Sequence, residues 1–466
     1  MTLPSALDLV VIGGGPGGYV CAIRAAQLGL KVAVVEKDTM GGVCLNWGCI
    51  PTKALLTCAE TYEKLGNLEK FGLSVTGATF DLGKMVDHSR AVSSQLTKGV
   101  DFLMKKNNVT VIKGVASFGK AGGGKHTIMV KGADKTETIT AKSVVVATGA
   151  SPIVLPGLDV DGKKVWTSKE AMMQRTCPPS LLVVGSGAIG LEFASFYAHL
   201  GTNVTIVELQ NHLLPTADPY ISQQLELAFK KRGIGFQLGR RVVASKVNEK
   251  GCHLIMDDGA ELAADSLLLA IGVRGNTEGL GLQDLGVQTD KGRIKVDEHL
   301  KTNVPGIYAI GDVVDGPWLA HKASHEGILA AEHIAGGQTH ALCKTAIPAC
   351  VYSTPQIASI GLTEPEAKAK GHTLKTGVFP FKANGKALAM GTSDGGVKTI
   401  FDAKTGEFLG AHMIGASVTE LVSTFSLVKA MEGTDMDLAQ TIFPHPTLSE
   451  MLHESVLAAI GRGLHA

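Results

Sequence analysis

One unit occurs twice in this chain, and it restricts the possible folds more than any other feature. Residues 8–36 read DLVVIGGGPGGYVCAIRAAQLGLKVAVVE, and residues 181–208 read LLVVGSGAIGLEFASFYAHLGTNVTIVE. Each copy opens with a β-branched run and passes through G-x-G-x-x-G, at Gly13, Gly15 and Gly18 and again at Gly185, Gly187 and Gly190. An Ala-rich helical stretch follows, then an apolar strand ending in an acid, Glu36 or Glu208. In both copies the acid lies 18 residues beyond the last glycine (36 − 18 and 208 − 190). The first glycine permits a tight turn, the second lets a pyrophosphate approach the backbone, and the third lets helix and strand pack closely. The helix N-terminus offers unpaired N–H groups and a positive dipole end to phosphates. Glu36 and Glu208 are then placed to accept hydrogen bonds from a ribose; the competing reading makes both acids solvated strand ends. Leu209 and Gln210 follow Glu208 with no Arg close by, which favours NAD over NADP.

Two such units predict an α/β fold with two Rossmann-like dinucleotide-binding domains, and electron transfer between two different nucleotides. Residues 144–149 (VVVATG) and 267–272 (LLLAIG) read as buried strands ending in glycine turns at Gly149 and Gly272. Residues 307–313 (IYAIGDV) read as a strand delivering Gly311 and Asp312 to a turn, where a carboxylate could meet a cofactor hydroxyl or merely cap the turn. Glycine numbers 57 of 466 residues, about 12% against a usual value of about 7%. The excess has no collagen-like period, so it belongs to particular turns and close approaches.

The length suggests roughly three domains. A net charge of +1 asks for neither nucleic acid nor an anionic membrane as partner. The first 23 residues lack Lys and Arg, so no secretory n-region is read, and the long uncharged run at 345–363 is broken by Pro348 and Pro355. A cytoplasmic protein is expected, with most of its eight cysteines as buried small hydrophobes.

Cys44 and Cys49 stand apart from the other cysteines, within GGVCLNWGCIPTK at 41–53. A zinc site would need a second Cys/His pair at ligand spacing, and none follows. A ferredoxin-type cluster would want cysteine at position 52, which is Thr52. A redox-active pair needs only these two and suits a reducing compartment; two idle thiols are the remaining alternative. In a straight helix residues five apart rise about 7.5 Å, whereas a disulfide wants Cα atoms within about 6.8 Å. The helix is therefore expected to be distorted around residues 46–48, with a helix end favouring the thiolate. Near the C-terminus, His445 sits between Pro444 and Pro446, and Glu450 is in reach if a helix begins beyond Pro446. A carboxylate-bound histidine is an oriented base, which thiol oxidation requires; a structural histidine is the plainer alternative.

The motifs GGGPGG, GGVCLNWGCIPTK, VVGSGAIGLE, YAIGDV and HPTLSE, in this order, resemble the pyridine nucleotide–disulfide oxidoreductases nearly end to end. The resemblance implies FAD at the first glycine turn and NAD at the second. It implies an FAD domain at 1–150 that resumes as a central segment at 277–345, an NAD domain at 151–276, and an α+β dimerisation domain at 346–466. Cys44 resembles the interchange thiol that meets the substrate and Cys49 the thiol facing the flavin. Lys53 and Glu192 resemble an ion pair beside the flavin ring, Asp312 a ribityl ligand, and His445 with Glu450 the base and its orienting acid. The family's base serves the other subunit of a homodimer. The implied reaction is oxidation of a dihydrolipoyl group, borne by another protein of a 2-oxo acid dehydrogenase or glycine cleavage complex, with NAD as acceptor. Glutathione- or mercuric-reductase-like chemistry is the rival. Val43 and Trp47 depart from the common pattern, which bears on packing around the cysteines. No metal is implied.

Overall fold

The computed structural model describes residues 7–120, 124–154, 158–249 and 251–465. The chain divides into two compact units. The first comprises Met1–Leu55, Lys84–Ile153 and Val273–Leu342; the second comprises Leu56–Gly83, Val154–Gly272 and Cys343–Ala466.

The first unit is built on a sheet whose parallel core runs Thr110–Lys113, Val32–Glu36, Leu7–Ile12, Thr136–Val146. Val10 pairs with Ala33 on one side and Val144 on the other. The strand Ile307–Ala309 adds in parallel to Thr136–Val146, while His126–Lys131 and Val115–Phe118 extend it antiparallel. Runs such as LVVI and VAVV form the centre because both faces are covered, and Val10, Val34 and Val145 have no exposed surface. Each such side chain contributes about 1.5–3 kcal/mol by burial. The helix Pro16–Gln27 starts with Gly15 as its N-cap and Pro16 as its first residue, and it buries Gly17, Gly18, Cys21, Ala22 and Ala25. That small-residue face receives the helix Ala320–Ile334. A Cβ on Gly327 would lie 2.5 Å from the Gly17 carbonyl oxygen, and a Cβ on Gly17 would lie 3.0 Å from that of Ala323. Only glycine permits these backbones to approach so closely.

The second unit contains a parallel sheet in the order Gly235–Gln237, Asn203–Val207, Ser180–Val184, Ser266–Leu269, Val165–Trp166. It also contains an antiparallel sheet, Ala349–Val351, Gln356–Gly361, Phe408–Gly415, Gly396–Asp402, Leu374–Pro380. The uncharged run at 345–363 supplies two edge-side strands of that sheet and the turn between them. Phe401, Phe408 and Phe425 pack ring on ring in its core. The helix Glu450–Ala459 lies so close to Leu374–Pro380 that a Cβ on Gly377 would fall 2.0 Å from the Ser455 carbonyl oxygen. Cysteine burial departs from expectation: only Cys21 and Cys252 are buried, five are half-buried and Cys343 is exposed. Of the half-buried ones, Cys44, Cys49 and Cys58 lie in helices and Cys350 in a strand, while Cys177 lies between elements. No described helix is long and apolar enough to cross a membrane.

Candidate active site

The two glycine turns superimpose feature by feature. Gly13 and Gly185 take φ of +107° and +101°, and an added Cβ would lie 2.3 and 2.4 Å from the carbonyl oxygens of Ala147 and Ala270. A Cβ on Gly18 would meet the Gly13 oxygen at 1.9 Å, and one on Gly190 the Gly185 oxygen at 2.0 Å. Gly15 and Gly187 cap helices of 12 residues with φ of −71° in both. At these two caps there is room: a Cβ on Gly187 would meet nothing within 4 Å, and one on Gly15 only Gly42 Cα at 3.9 Å. That pattern fits a dinucleotide, since tightness shapes each turn and the open cap leaves a phosphate cradle at the helix N-terminus.

Each terminal acid folds back onto its turn. Glu36 Oε2 accepts the Gly14 N–H at 2.6 Å, and Oε1 accepts the Asp38 N–H at 2.8 Å. Glu208 Oε2 accepts the Ser186 N–H and hydroxyl, both at 2.8 Å, and Oε1 accepts the Gln210 N–H at 2.9 Å. Lone pairs remain on both carboxylates for ribose hydroxyls. At the second turn the structure brings in what the linear sequence lacked. The Arg240 N–H donates to the Glu208 carbonyl at 3.0 Å, and the Arg240 guanidinium is held by Asp258. An Arg is therefore close to Glu208 in space, with its charge engaged elsewhere.

The cysteine segment is seated on the first turn. The Gly41 N–H donates to the Gly14 carbonyl at 2.8 Å, and a Cβ on Gly42 would lie 2.7 Å from Gly15 Cα. Cys44 lies in the short helix Gly42–Trp47, and Cys49 opens the helix Cys49–Leu65. Between them Gly48 leaves helical geometry, with φ −151° and ψ −115°, which is the interruption expected for the pair. Asn46 Nδ2 donates to the carbonyls of Met40 and Gly42 at 3.1 and 2.9 Å, Arg90 donates to the Asn46 carbonyl at 2.5 Å, and its guanidinium lies 4.9 Å over the Trp47 ring. Trp47 thus finds a local packing partner. The Cys44 and Cys49 thiols face each other. The Cys49 thiol, hydrogen-bonded to Cys44, and burial push the Cys44 thiol well above the usual range, while Lys53 pulls against them. The expected helix-end stabilisation of the thiolate is outweighed at Cys44, because one thiol of a close pair keeps the proton that bridges it.

His445 and Glu450 come together: His445 Nδ1 donates to Glu450 Oε1 at 2.8 Å. The Thr447 N–H donates to Glu450 Oε2 at 2.8 Å, and Asn384 Nδ2 holds the Thr447 carbonyl at 3.1 Å. Burial raises the Glu450 carboxyl, but the Thr447 N–H and His445 outweigh it and the net direction is downward. With Nδ1 committed, Nε2 is the nitrogen of an exposed ring, 78% accessible, that can take a proton. Glu192 is buried, and its Oε1 accepts the Tyr352 N–H at 3.0 Å. Lys53 belongs to the first unit and Glu192 to the second.

Gly149, Gly272 and Gly311 adopt positive φ of 69°, 115° and 75° at their strand ends. Asp312 follows in the turn Gly311–Val313, where burial pushes its carboxyl up and Lys322 pulls it down. Sequence reasoning missed Lys322 and Glu326, an ion pair buried beneath this turn at 3.0 Å. Their signal was an i,i+4 Lys/Glu spacing on the helix after the GD turn. Among the described residues no group of three or more His, Cys, Asp or Glu is placed to hold a metal ion.

A duplicated dinucleotide-binding unit with a thiol pair seated on one copy defines a protein that moves electrons between sulfur and nucleotides. The chain belongs to the pyridine nucleotide-disulphide oxidoreductase family, whose profile matches residues 7–327, and it carries that family's dimerisation domain at 347–456. It is an α/β flavoprotein of that family, with FAD and NAD(H) as its implied nucleotides. It is 48% identical over 463 residues to the dihydrolipoyl dehydrogenase of Zymomonas mobilis, covering 98% of this chain and 99% of that one. It is 49% identical over 479 residues to that of Rhizobium etli, covering 98% and 99%. Among solved structures, LpdA from Mycobacterium tuberculosis matches with a TM-score of 0.91 at 29% identity, covering 97% of this chain and 99% of that one.

Proposed function

We propose that this chain oxidises dihydrolipoyl groups carried on another protein and passes the electrons to NAD through FAD. In the oxidised enzyme Cys44 and Cys49 form a disulfide. His445, oriented by Glu450, takes the proton of one substrate thiol, whose sulfur attacks Cys44; the Cys44–Cys49 bond breaks and a mixed disulfide forms. The second substrate thiol displaces Cys44, closing the lipoyl disulfide and leaving two electrons on the enzyme's sulfur pair. FAD, when bound, supplies the two-electron carrier between these thiols and NAD, which leaves as NADH. Gly13, Gly15, Gly18, Glu36, Lys53, Gly149, Gly311 and Asp312 would hold FAD. Gly185, Gly187, Gly190, Glu208 and Gly272 would hold NAD.

The observation that carries this reading is the hydrogen bond from Gly41 to Gly14, which seats the thiol pair on the first glycine turn. The near full-length likeness to dihydrolipoyl dehydrogenases supports the substrate class. We place FAD binding in residues 1–150 and 277–345, NAD binding in 151–276 and dimer contacts in 346–466. We place the protein in the cytoplasm, as a homodimer serving a 2-oxo acid dehydrogenase or glycine cleavage assembly through a lipoyl-bearing domain. The test is steady-state turnover of dihydrolipoamide with NAD and with NADP, beside glutathione disulfide with NADPH. Turnover of dihydrolipoamide with NAD is expected; preference for glutathione disulfide and NADPH overturns the assignment.

A further inference from the structure

Asp312 can serve a cofactor only if the turn carrying it is held; its flanks are tied by the Ile310 N–H to the Val146 carbonyl at 3.0 Å and by buried Val313, which leaves the Gly311 peptides themselves to be fixed. The segment Gly311–Val313 is a single turn, and Gly311 sits at φ +75°, a conformation that glycine enters and leaves easily. Two side chains of one helix, Ala320–Ile334, grip the backbone on both sides of Gly311. Glu326 Oε2 accepts the Gly311 N–H at 2.7 Å, and Lys322 Nζ donates to the Gly311 carbonyl at 3.2 Å. The two side chains also pair with each other at 3.0 Å. Both are buried, with residue exposures of 5% for Lys322 and 4% for Glu326. Gly316 closes over the lysine stem, since a Cβ there would lie 2.9 Å from Lys322 Cε.

Burying an ion pair costs desolvation that its attraction scarcely returns, so its retention points to placement more than to stability. The placement has a second anchor. The same helix crosses Pro16–Gln27 at the Gly17/Gly327 contact, and Pro16–Gln27 carries the first phosphate cradle at its N-terminus. One helix therefore contacts both the glycine helix, at Gly17, and the turn at Gly311, with Ala323 lying against both glycines.

We infer that Lys322 and Glu326 are positioning residues for the flavin nucleotide, acting through the Gly311 backbone to aim Asp312. The inference rests on the reading that FAD binds at the first glycine turn. Neither side chain touches the cofactor; their effect passes through two peptide groups, so it should vanish when Asp312 cannot respond.

The test is a double-mutant cycle on FAD dissociation, followed by release of flavin fluorescence from the holoenzyme, with thermal unfolding of each apoprotein measured alongside. Glu326→Ala, which leaves the Gly311 N–H without its acceptor, is expected to weaken FAD binding about tenfold, the loss of one charge-assisted hydrogen bond. Glu326→Gln keeps an acceptor and is expected to recover most of that loss. Lys322→Met is expected to fall between the two. In an Asp312→Ala background, Glu326→Ala is expected to add little. Full additivity of Glu326→Ala and Asp312→Ala, or wild-type FAD affinity in Glu326→Ala, overturns the inference. A wild-type chain that fails to bind FAD instead overturns the cofactor assignment on which it rests. If Glu326→Ala does not fold, the same cycle run with Lys322→Met against Asp312→Ala decides between these outcomes.

Discussion

Glu208 Oε2 lies 2.8 Å from the backbone nitrogen of Ser186, so the acid ending one strand is bonded to the turn ending the strand beside it. Glu36 makes the same bond to Gly14 at 2.6 Å. Each acid is thereby fixed against its own glycine turn, where the proposed function would have it meet a ribose. If the second turn holds the nicotinamide nucleotide, coenzyme choice there is expected to depend on Glu208 and on the engaged Arg240 beside it. Replacing Glu208 and Asp258 together with alanine removes the repulsive carboxylate and frees Arg240. The NAD-over-NADP preference in kcat/KM is expected to narrow about tenfold, the value of one charge-assisted hydrogen bond. An unchanged ratio would show that Arg240 cannot reach a 2′-phosphate.

The third and second glycines of each turn should behave differently. Gly190→Ala puts a methyl group 2.0 Å from the Gly185 oxygen and is expected to destabilise the fold by about 1–3 kcal/mol. Gly187→Ala meets nothing within 4 Å and should fold normally while losing NAD affinity, because the methyl occupies the phosphate approach. Denaturant midpoints and NADH binding, measured together, separate the two effects. Equal destabilisation of both variants would contradict this division.

His445→Ala is expected to lower dihydrolipoamide oxidation by about 10²–10⁴-fold, the usual range for removing a general base. Reduction of an artificial acceptor by NADH should be nearly retained, because it does not need a substrate thiol deprotonated. Loss of both activities in proportion would point to a structural histidine.

Cys49→Ser should abolish dihydrolipoamide turnover while the yellow flavin remains bound. Cys44→Ser should do the same and also remove the thiol that reacts with an added alkylating agent at the substrate side. Residual turnover within about tenfold of wild type, set against losses of several powers of ten expected for a missing nucleophile, would exclude the disulfide route.

His199 sets a pH dependence of stability. Burial pushes its imidazole down to about 4, with Arg232 acting in the same direction and Glu63 opposing. The unfolded value is about 6.5, so the unfolded chain takes up the proton first. The contribution is fully present above that value and is lost as pH falls towards 4. Denaturant unfolding across this window should show stability rising with pH, and His199→Gln should flatten the slope.

Much of the architecture was legible in the linear chain because its signals are local. G-x-G-x-x-G, the strands around it and the acid 18 residues later encode the two turns, since each glycine answers a contact within its own unit. The break at Gly48 followed from helix rise against disulfide reach, and the His445–Glu450 contact from five residues of spacing. Contacts between distant segments were not legible. Arg240 reaches Glu208 because the strand Gly235–Gln237 pairs beside Asn203–Val207. Lys322 and Glu326 reach Gly311 because Ala320–Ile334 folds back against the glycine helix. The sequence by itself determined which chemical groups this protein has and the shape of its two glycine turns, because backbone sterics act over a few residues. Tertiary structure alone decided which charges face those turns, since burial and pairing depend on segments that meet only after folding.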